Sequence, residues 1–488
     1  MMKKALLFLG LFMLVLSMKA QDFQDYKNKQ KQEMERFRDS MKRDYDEYRH
    51  KANEDYAQFM RTRWEEFQSM KGDPVPEIPE PTQPFEREKD LIIQKLPIKY
   101  DKVITISNPT PIPSELPKRP KAPVIPKDIK VPEFTFVSYG TTCRVHLDNE
   151  LKFKLKDISE NTVADVWVHL SEELSEVLLQ DLLALRKELA LGDWAYYCLL
   201  RDFAEQCYGK GTNEAVLVET YMMAQSGYSV RIARKDNRLA LLLPFDGKVY
   251  NCTYLSFSGV CYYDVASDKG GSYYAFDHSF TDNDRVLSLK MSSTPKYTFK
   301  PSTEKTFTSK RYPDLTVTMS ENKNLMDFYH DYPKCMWTNY SWAGLSEEVK
   351  AKLYPVLRKG IDGKSQIEAA NRIINFVQTA FEYQTDQQQF GYERSLFADE
   401  TFYYPYSDCE DRSILFSILV HDLLGLDVVL LHYPDHLATA VHYTEELNGT
   451  YLTLDEKKYY VSDPTYINAN VGDCMPQYNK TRPEILKL

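Results

Sequence analysis

Two separated stretches of the chain carry the same pattern, and this repeat limits the folds available to the sequence. When Gly227 is aligned with Gly425, residues 211–232 lie on residues 409–430 without a gap. Each stretch has the apolar periodicity of a helix, a glycine where the helix should end, and then three runs typical of strands. Self-similarity of this kind indicates a duplicated unit. We therefore expect an α+β protein that contains two copies of one helix-and-strand unit.

The second copy has the clearest element boundaries. Its predicted helix places four apolar side chains on one buried face: Ile414, Leu415, Ile418 and Leu419. "VVLLH" then predicts a buried strand, "HLATAVHY" a second strand, and "YYVSDPTY" a third that ends at Pro464. In the first copy "RLALLLPF", residues 238–245, takes the place of "HLATAVHY".

The first twenty residues, "MMKKALLFLGLFMLVLSMKA", have two lysines, an apolar run and a small residue at Ala20. This is the pattern of a secretory signal peptide, so we expect an exported protein, periplasmic or at the cell surface. Met18 stands where a small residue is usual, which leaves an uncleaved anchor as the alternative. No later run is apolar for long enough to predict a membrane-spanning helix.

The region between the signal and the repeat is expected to extend away from the globular part. Apolar and aromatic residues recur every three or four positions from Met34 to Phe59, with Phe67 on the same face, which predicts a charged amphipathic, coiled-coil-like helix. Such a stripe should self-associate or dock on an envelope partner; a single helix held by its own charge pairs is the alternative. The proline-rich segment that follows this helix predicts an extended spacer. Residues 90–106, which are typical of a strand, interrupt the proline-rich sequence. The expected segments are a signal peptide at 1–20, the helix at 21–72, the linker at 73–133, a degenerate repeat at 134–270, a β-rich connection at 271–325 and a catalytic domain at 326–488.

Charge and cysteine content exclude several classes of protein. The formal net charge is −10 and no basic block follows the signal, which argues against a nucleic-acid-binding protein. The eight cysteines are too sparse for a disulfide scaffold and form no CxxC pair, so the spacing indicates neither a metal site nor a cofactor. No disulfide pairing is predicted.

Cys409, in "YSDCEDRSILF", stands out because it begins the predicted helix of the second copy. A helix N-terminus or an adjacent imidazole lowers the pKa of a thiol and makes it a nucleophile. The neighbouring acids would oppose a thiolate, so the hypothesis needs a histidine partner. His432, His436 and His442 lie downstream, and strand alternation puts His436 and His442 on one face.

Asp463 ends the third strand and could accept the imidazole N–H, which is the orienting role in a nucleophile, base and acid set. A buried structural cysteine, a structural strand histidine and a turn aspartate are the alternative interpretation of the same residues. Besides the Cys409 backbone N–H, Gln378 and residues 387–389 are candidate donors to an oxyanion.

The order of "DCEDRS" before an amphipathic helix, "HLATAV" on a strand and "YYVSDPTY" on another resembles the transglutaminase-like superfamily, which has a papain-like cysteine hydrolase fold. The resemblance implies Cys409 as nucleophile, His436 as general base and acid, and Asp463 as orienter. It further implies a protease or amidase that acts on a peptide or protein, or a transglutaminase if an amine resolves the thioacyl intermediate. The sequence has Ala438 where many members have an aromatic residue.

The first copy carries Gly211, Arg238 and Ala266 at the three matching positions, which predicts a non-catalytic unit. A longer segment, residues 382–408, precedes Cys409 only in the second copy, and we expect it to form a wall of the cleft. The alternative function is a non-enzymatic envelope assembly protein with a relic triad, in which the N-terminal helix is the functional element.

Overall fold

The computed structural model describes residues 36, 40, 47–62, 64–76, 81, 83–88, 97–105, 131–171, 173–267, 269–280 and 285–488. The predicted signal peptide, and most of the predicted amphipathic helix before residue 47, lie outside the described residues. Within the described residues the chain is a mixed α+β protein with curled sheets, which confirms the predicted class at this level. None of the helices in these ranges is long and apolar enough to cross a membrane.

The helices are α1 (47–60), α2 (Glu160–Leu170), α3 (Glu173–Glu188), α4 (Asp193–Tyr208), α5 (Asn213–Gln225), α6 (Lys323–His330), α7 (Trp337–Ala343), α8 (Glu347–Ile361), α9 (Gln366–Thr379), α10 (Asp386–Gln389), α11 (Ala398–Tyr403) and α12 (Cys409–Leu424). Side-chain N-caps begin several of them, as at α5, where the Thr212 side chain accepts from the Ala215 N–H. Helix α12 ends at Gly425 in the left-handed conformation, as the sequence predicts.

The strands are β1 (Glu65–Gln68), β2 (Met70–Lys71), β3 (Val103–Thr105), β4 (Glu133–Ser138), β5 (Thr141–His146), β6 (Arg231–Lys235), β7 (Arg238–Pro244), β8 (Thr253–Phe257), β9 (Val260–Asp264), β10 (Ser272–Ala275), β11 (Lys305–Thr308), β12 (Thr316–Met319), β13 (Glu382–Tyr383), β14 (Tyr406–Ser407), β15 (Val428–Tyr433), β16 (His436–Val441), β17 (Tyr451–Leu454), β18 (Lys457–Ser462) and β19 (Glu484–Lys487). Two large sheets dominate, with the orders β1-β10-β6-β7-β9-β8-β2 and β17-β18-β16-β15-β19-β3.

The two halves of the chain share one arrangement of elements. In the first half, α4 and α5 precede strands ordered β10-β6-β7-β9-β8; in the second, α9 and α12 precede strands ordered β19-β15-β16-β18-β17. Every neighbouring pair within these two sets is antiparallel. Helices α5 and α12 are buried along most of their length, and α12 packs on β15 and β16. The same order therefore places the start of α12 beside the start of β16.

The N-terminal region is part of both sheets and does not hold a helix away from them. The helical residues 47–60 bury Tyr56, Ala57 and Met60, and the Tyr56 ring lies 4.9 Å from that of Trp167. The predicted helix ends at residue 60, and Phe67 lies on β1, where its ring packs 4.7 Å from Phe257. The expected spacer is therefore wrong for the described part, because the stripe finds its apolar partners within the same chain.

Strands β1 and β2 are the two outermost strands of the first sheet, and β3 is an outermost strand of the second. β1 pairs with β10 and β2 with β8, so consecutive residues join the two edges of the sheet. β3, in the strand-like interruption of the proline-rich region, pairs in parallel with β19. Edge strands that are paired in this way no longer offer free backbone groups to another chain.

Glu219 gives the fold a testable pH dependence. It is buried on α5, and desolvation together with the charge of Glu205 raises its pKa to about 8. Because the folded pKa lies above the unfolded value, the free energy of unfolding is largest at acidic pH and falls as the pH rises toward 8. We expect Glu219→Gln to remove this residue's contribution to the slope and to raise stability at pH 7 by an amount on the order of 3 kcal/mol. Denaturant unfolding at pH 5 and pH 8 measures the slope; equal slopes in the two proteins would contradict the assignment.

Candidate active site

Cys409 is the first residue of α12, in agreement with the predicted helix start. Asp408 occupies the N-cap position in extended conformation, and the Cys409 side chain is completely buried. The Sγ atom accepts a hydrogen bond from the Leu437 N–H at 3.1 Å and lies 3.5 Å from Glu410 Oε2, to which the thiol donates. The backbone donor favours a thiolate and the carboxylate opposes one.

His436 and Asp463 form a buried pair. His436 is the first residue of β16, and its Nε2 lies 2.8 Å from Asp463 Oδ2. Asp463 Oδ1 accepts from the N–H groups of Thr465 and Tyr466, at 2.9 and 3.2 Å, which fixes the carboxylate. A carboxylate that accepts from Nε2 leaves Nδ1 with the lone pair, the tautomer that a general base needs.

The hydrogen bond from Leu437 brings the pair and the thiol together. Leu437 directly follows His436, so the thiol lies against the backbone of the residue that carries the imidazole. The Tyr478 ring stacks on the His436 ring at 5.3 Å and 11°, and its hydroxyl donates to Asp435 Oδ1 at 3.0 Å. These contacts hold the plane of the imidazole.

The two other downstream histidines are held elsewhere. His432 Nδ1 lies 3.5 Å from Glu484 and its ring packs on Trp337. His442 Nδ1 lies 3.0 Å from the backbone oxygen of Lys458 in an exposed position. Strand parity alone left His436 and His442 equivalent; the hydrogen bond to Asp463 distinguishes them.

Gln378 does not have the geometry of an oxyanion donor. Its Nε2 donates at 3.1 Å to the backbone oxygens of both Asp463 and Ala469. The amide is therefore committed to the loop that carries Asp463, and the expected donor role is wrong for this residue. Gln378 is a positioning residue.

Arg412 lies fully buried in the first turns of α12. It donates to Ser407 Oγ at 3.1 Å and to the backbone oxygens of Gln378 and Phe381 at 3.2 and 3.1 Å. Burial lowers its pKa to about 10. This side chain ties α9, the segment before Cys409 and α12 to one another.

Residues 382–408, the segment expected to form a wall of the cleft and called the wall below, pack on the first turn of α12. The Asp386 N–H donates to Asp408 Oδ2 at 3.0 Å, and the Leu396 N–H donates to Asp411 Oδ1 at 2.8 Å. Tyr392 and Tyr406 are exposed large side chains of the same segment. The backbone of the wall is therefore fixed by the acids of the "DCED" motif, which gives those acids a structural role that the sequence did not indicate.

Asp386, Asp408 and Glu410 form a buried carboxylate cluster beside Cys409. One carboxylate oxygen from each lies within 4.8 Å of the others. Burial and the charge of Asp411 raise the pKa of Asp386, and burial and the charges of Glu410, Asp411 and Asp386 raise that of Asp408. Asp408 Oδ1 has no hydrogen-bond partner among the described residues. Three carboxylates are the ligand type that Ca²⁺ and Mg²⁺ prefer. This cluster was not predicted from the spacing of residues in the sequence, because Asp386 belongs to the wall and not to the "DCED" motif.

A hard divalent cation should therefore stabilise the folded protein. We expect Ca²⁺ or Mg²⁺ to raise the thermal midpoint, since a ligand at about 100 times its dissociation constant adds about 2.7 kcal/mol. Asp408→Asn should remove the shift, and the exposed Glu347→Gln should retain it. Calorimetry of the metal-free and metal-titrated protein makes the comparison; no shift with either ion would contradict this assignment.

The described residues of the proline-rich region contact two segments of the second half of the chain, one before Cys409 and one after Asp463. The Tyr383 hydroxyl donates to the Pro81 oxygen at 3.0 Å, and the Ile467 N–H donates to the Phe85 oxygen at 2.8 Å. Arg87 pairs with Asp473 at 2.7 Å. Tyr383 pairs with Ser407 before the nucleophile, and Ile467 follows Asp463, so the described parts of this region lie against the segments that carry the site.

The first half contains a related set of contacts. Asn213, the first residue of α5, accepts from the Leu239 N–H at 2.7 Å, as Cys409 does from Leu437. Arg238, which opens β7, donates to Asp264 Oδ2 at 3.1 Å, and Asp264 Oδ1 accepts from the Ala266 N–H at 3.2 Å.

These contacts correct the correspondence expected from the sequence. Asn213, not Gly211, occupies the place of the nucleophile, and Asp264, not Ala266, supplies the carboxylate; Arg238 is placed as expected. At these positions the first half therefore has an amide and a guanidinium in place of the thiol and the imidazole, and it keeps the carboxylate.

Comparisons with protein-family models, with curated proteins and with solved structures found no match to this chain. The resemblance to the transglutaminase-like superfamily therefore depends on the three motifs and their order in this sequence.

Proposed function

We propose that the protein is an exported cysteine hydrolase of the transglutaminase-like type, which acts on an amide bond of a peptide or protein through Cys409, His436 and Asp463. One observation carries the proposal: the thiol at the start of α12 accepts from the N–H of the residue after His436, while His436 Nε2 lies 2.8 Å from Asp463. A thiol, an imidazole and a carboxylate in this order are the parts of a nucleophile, base and orienter set.

In the proposed reaction, His436 Nδ1 takes the thiol proton and the Cys409 thiolate attacks the amide carbonyl carbon. The C–N bond then breaks, and the imidazolium returns its proton to the leaving amine. A water molecule, deprotonated by His436, attacks the thioester, releases the carboxylic acid and restores the thiol. An amine in place of water would give transamidation.

The N-terminus of α12 supports the charged states of this reaction. The Leu437 N–H and the positive end of the helix dipole both favour negative charge on sulfur. Glu410, 3.5 Å from the sulfur, works against it. Protonation of Glu410 or neutralisation of the carboxylate cluster by a cation would therefore favour the thiolate.

The site is closed as it stands, because the Cys409 side chain is fully buried and that of His436 is 2% exposed. A substrate needs a wall to move. The segment 382–408 is the first candidate, since it packs on α12 and carries the exposed Tyr392 and Tyr406. We infer that specificity depends on this segment.

A cleavage assay tests the proposal. The mature protein is incubated with a mixture of envelope-derived peptides, and new amine termini are identified by mass spectrometry. We expect cleavage by the unaltered protein, none by Cys409→Ala, and full activity in Cys198→Ala, a buried-thiol control in the first half of the chain. Cleavage that survives Cys409→Ala would refute the proposed nucleophile.

A further inference from the structure

The first half of the chain retains the layout of the candidate active site, with donors in place of a nucleophile. Asn213 and Arg238 take the positions of Cys409 and His436, and each makes the corresponding hydrogen bond. The pattern is kept although no thiol or imidazole is present.

The two positions differ in exposure. The Arg238 side chain is 44% exposed, whereas that of His436 is 2% exposed. Asp264, with a side chain 2% exposed, holds one edge of the guanidinium and also accepts from the Tyr273 hydroxyl at 2.8 Å. A buried carboxylate thus orients an accessible guanidinium, whose other N–H groups make no hydrogen bond within the described residues.

A cavity of about 580 Å³ lies along the hairpin that precedes Arg238, and Arg238 is not itself one of its wall residues. Its wall includes residues 234–237, which lead directly into Arg238, and the Asn213 Nδ2 donates to the Asn237 oxygen at 3.4 Å. Across the hairpin the wall is completed by residues 270–272 and Tyr274.

The cavity has uncompensated positive charge. Arg234 lies over the rings of Trp64 and Tyr274, at 5.1 Å from each, and Lys235 donates to the Tyr273 hydroxyl at 3.2 Å. Neither cation forms an ion pair with a carboxylate of the described residues. Arg234, Lys235 and Arg238 stand against Asp236 and Asp264, whose charge interacts with both Arg238 and Lys235. The one net positive charge that remains suits a monoanion better than a phosphate dianion.

We propose that Arg238 and the adjoining cavity bind the carboxylate of a peptide. A guanidinium presents paired N–H donors that match a carboxylate, and the buried Asp264 fixes their direction. The first half is then a recognition site built on the plan of the second. This inference does not depend on Cys409 being catalytic.

Calorimetric titration of the full chain tests the site, in a Cys409→Ala background so that no ligand is consumed. The probes are N-acetyl-alanyl-alanine and its C-terminal amide. We expect the free carboxylate to bind at least about tenfold more tightly than the amide, because a charge-assisted hydrogen bond is lost with the amide. Arg238→Gln should abolish that preference and Arg234→Gln should weaken it, while the exposed Arg144→Gln should leave it unchanged.

Thermal midpoints of the same variants separate loss of binding from loss of fold. If Arg238→Gln unfolds the first half, two other results test the proposal. They are the binding preference of Arg234→Gln and the ratio of the carboxylate and amide affinities in the protein that carries only Cys409→Ala. Equal binding of the carboxylate and the amide would overturn the proposal, and so would undetectable binding of both at millimolar concentration. A site that binds inorganic phosphate but not the peptide carboxylate would overturn it as well.

Discussion

Replacing His436 by alanine should slow amide cleavage by about a thousandfold or more, because the base that activates Cys409 and protonates the leaving amine is then lost. Alkylation of Cys409 at pH 6 should fall by about 100-fold, since an adjacent imidazolium is what keeps a thiol ionised well below its ordinary pKa. Peptide mapping after timed reaction with iodoacetamide gives the rate for this one residue.

Two variants make this result specific. Asp463→Asn retains the shape of the pair but removes the carboxylate 2.8 Å from His436 Nε2, so it should lower both rates less than His436→Ala does. His442→Ala removes the other histidine of the same strand region, whose ring contacts the Lys458 backbone oxygen and the Tyr459 ring, and should leave both rates unchanged. A larger loss in His442→Ala than in His436→Ala would reverse the assignment of the base.

Replacing Arg412 by methionine should cost about 3 kcal/mol or more in the free energy of unfolding. The substitution keeps an unbranched stem, shorter than that of arginine, and leaves three buried acceptors without their donor: Ser407 Oγ and the oxygens of Gln378 and Phe381. Each unpaired buried acceptor costs about 1–3 kcal/mol. The exposed Arg358→Met on α8 is the matched control and should change stability by no more than about 0.5 kcal/mol.

Denaturant unfolding followed by circular dichroism gives both values. A midpoint for Arg412→Met equal to that of Arg358→Met would mean that water or another donor replaces the guanidinium. In that case Arg412 would not be the residue that ties the wall to α12.

The three residues of the proposed nucleophile, base and orienter set could be picked out from the sequence because each has a local signal. Cys409 begins an apolar helix that ends at a glycine, His436 opens a strand after a short turn, and Asp463 precedes a proline. The repeat predicted the same succession of a helix and strands in both halves, and the two sets of β-strands have matching orders in their sheets.

Contacts between residues far apart in the sequence could not be predicted, because no local sequence pattern marks them. Asp386 reaches the motif across 22 residues, and Asn53 accepts from Trp167 across 114. The stripe of the N-terminal helix shows that an apolar face must be covered, but periodicity does not say whether the partner is another chain or this one. The described residues 47–60 cover theirs on the first half.

There is also a physical reason why the sequence alignment matched the wrong residues of the first copy to Cys409 and Asp463. A gap-free alignment on the terminal glycine assumes helices of equal length, but α5 has 13 residues and α12 has 16. The start of α5 is therefore Asn213. At the other end, the long side chain of Arg238 meets the carboxylate of Asp264 on β9.

The most direct test of the account is the pH dependence of Cys409 alkylation, measured beside the other seven cysteines of the same molecule. Cys198 and Cys335 are fitting internal controls, because both are buried and burial raises the pKa of each to about 12. The account predicts that Cys409 reacts faster than either control at pH 6, with a rate that changes little up to pH 8. A rate for Cys409 that matches those of Cys198 and Cys335, and rises with them only in alkaline solution, would show that it is one more buried thiol.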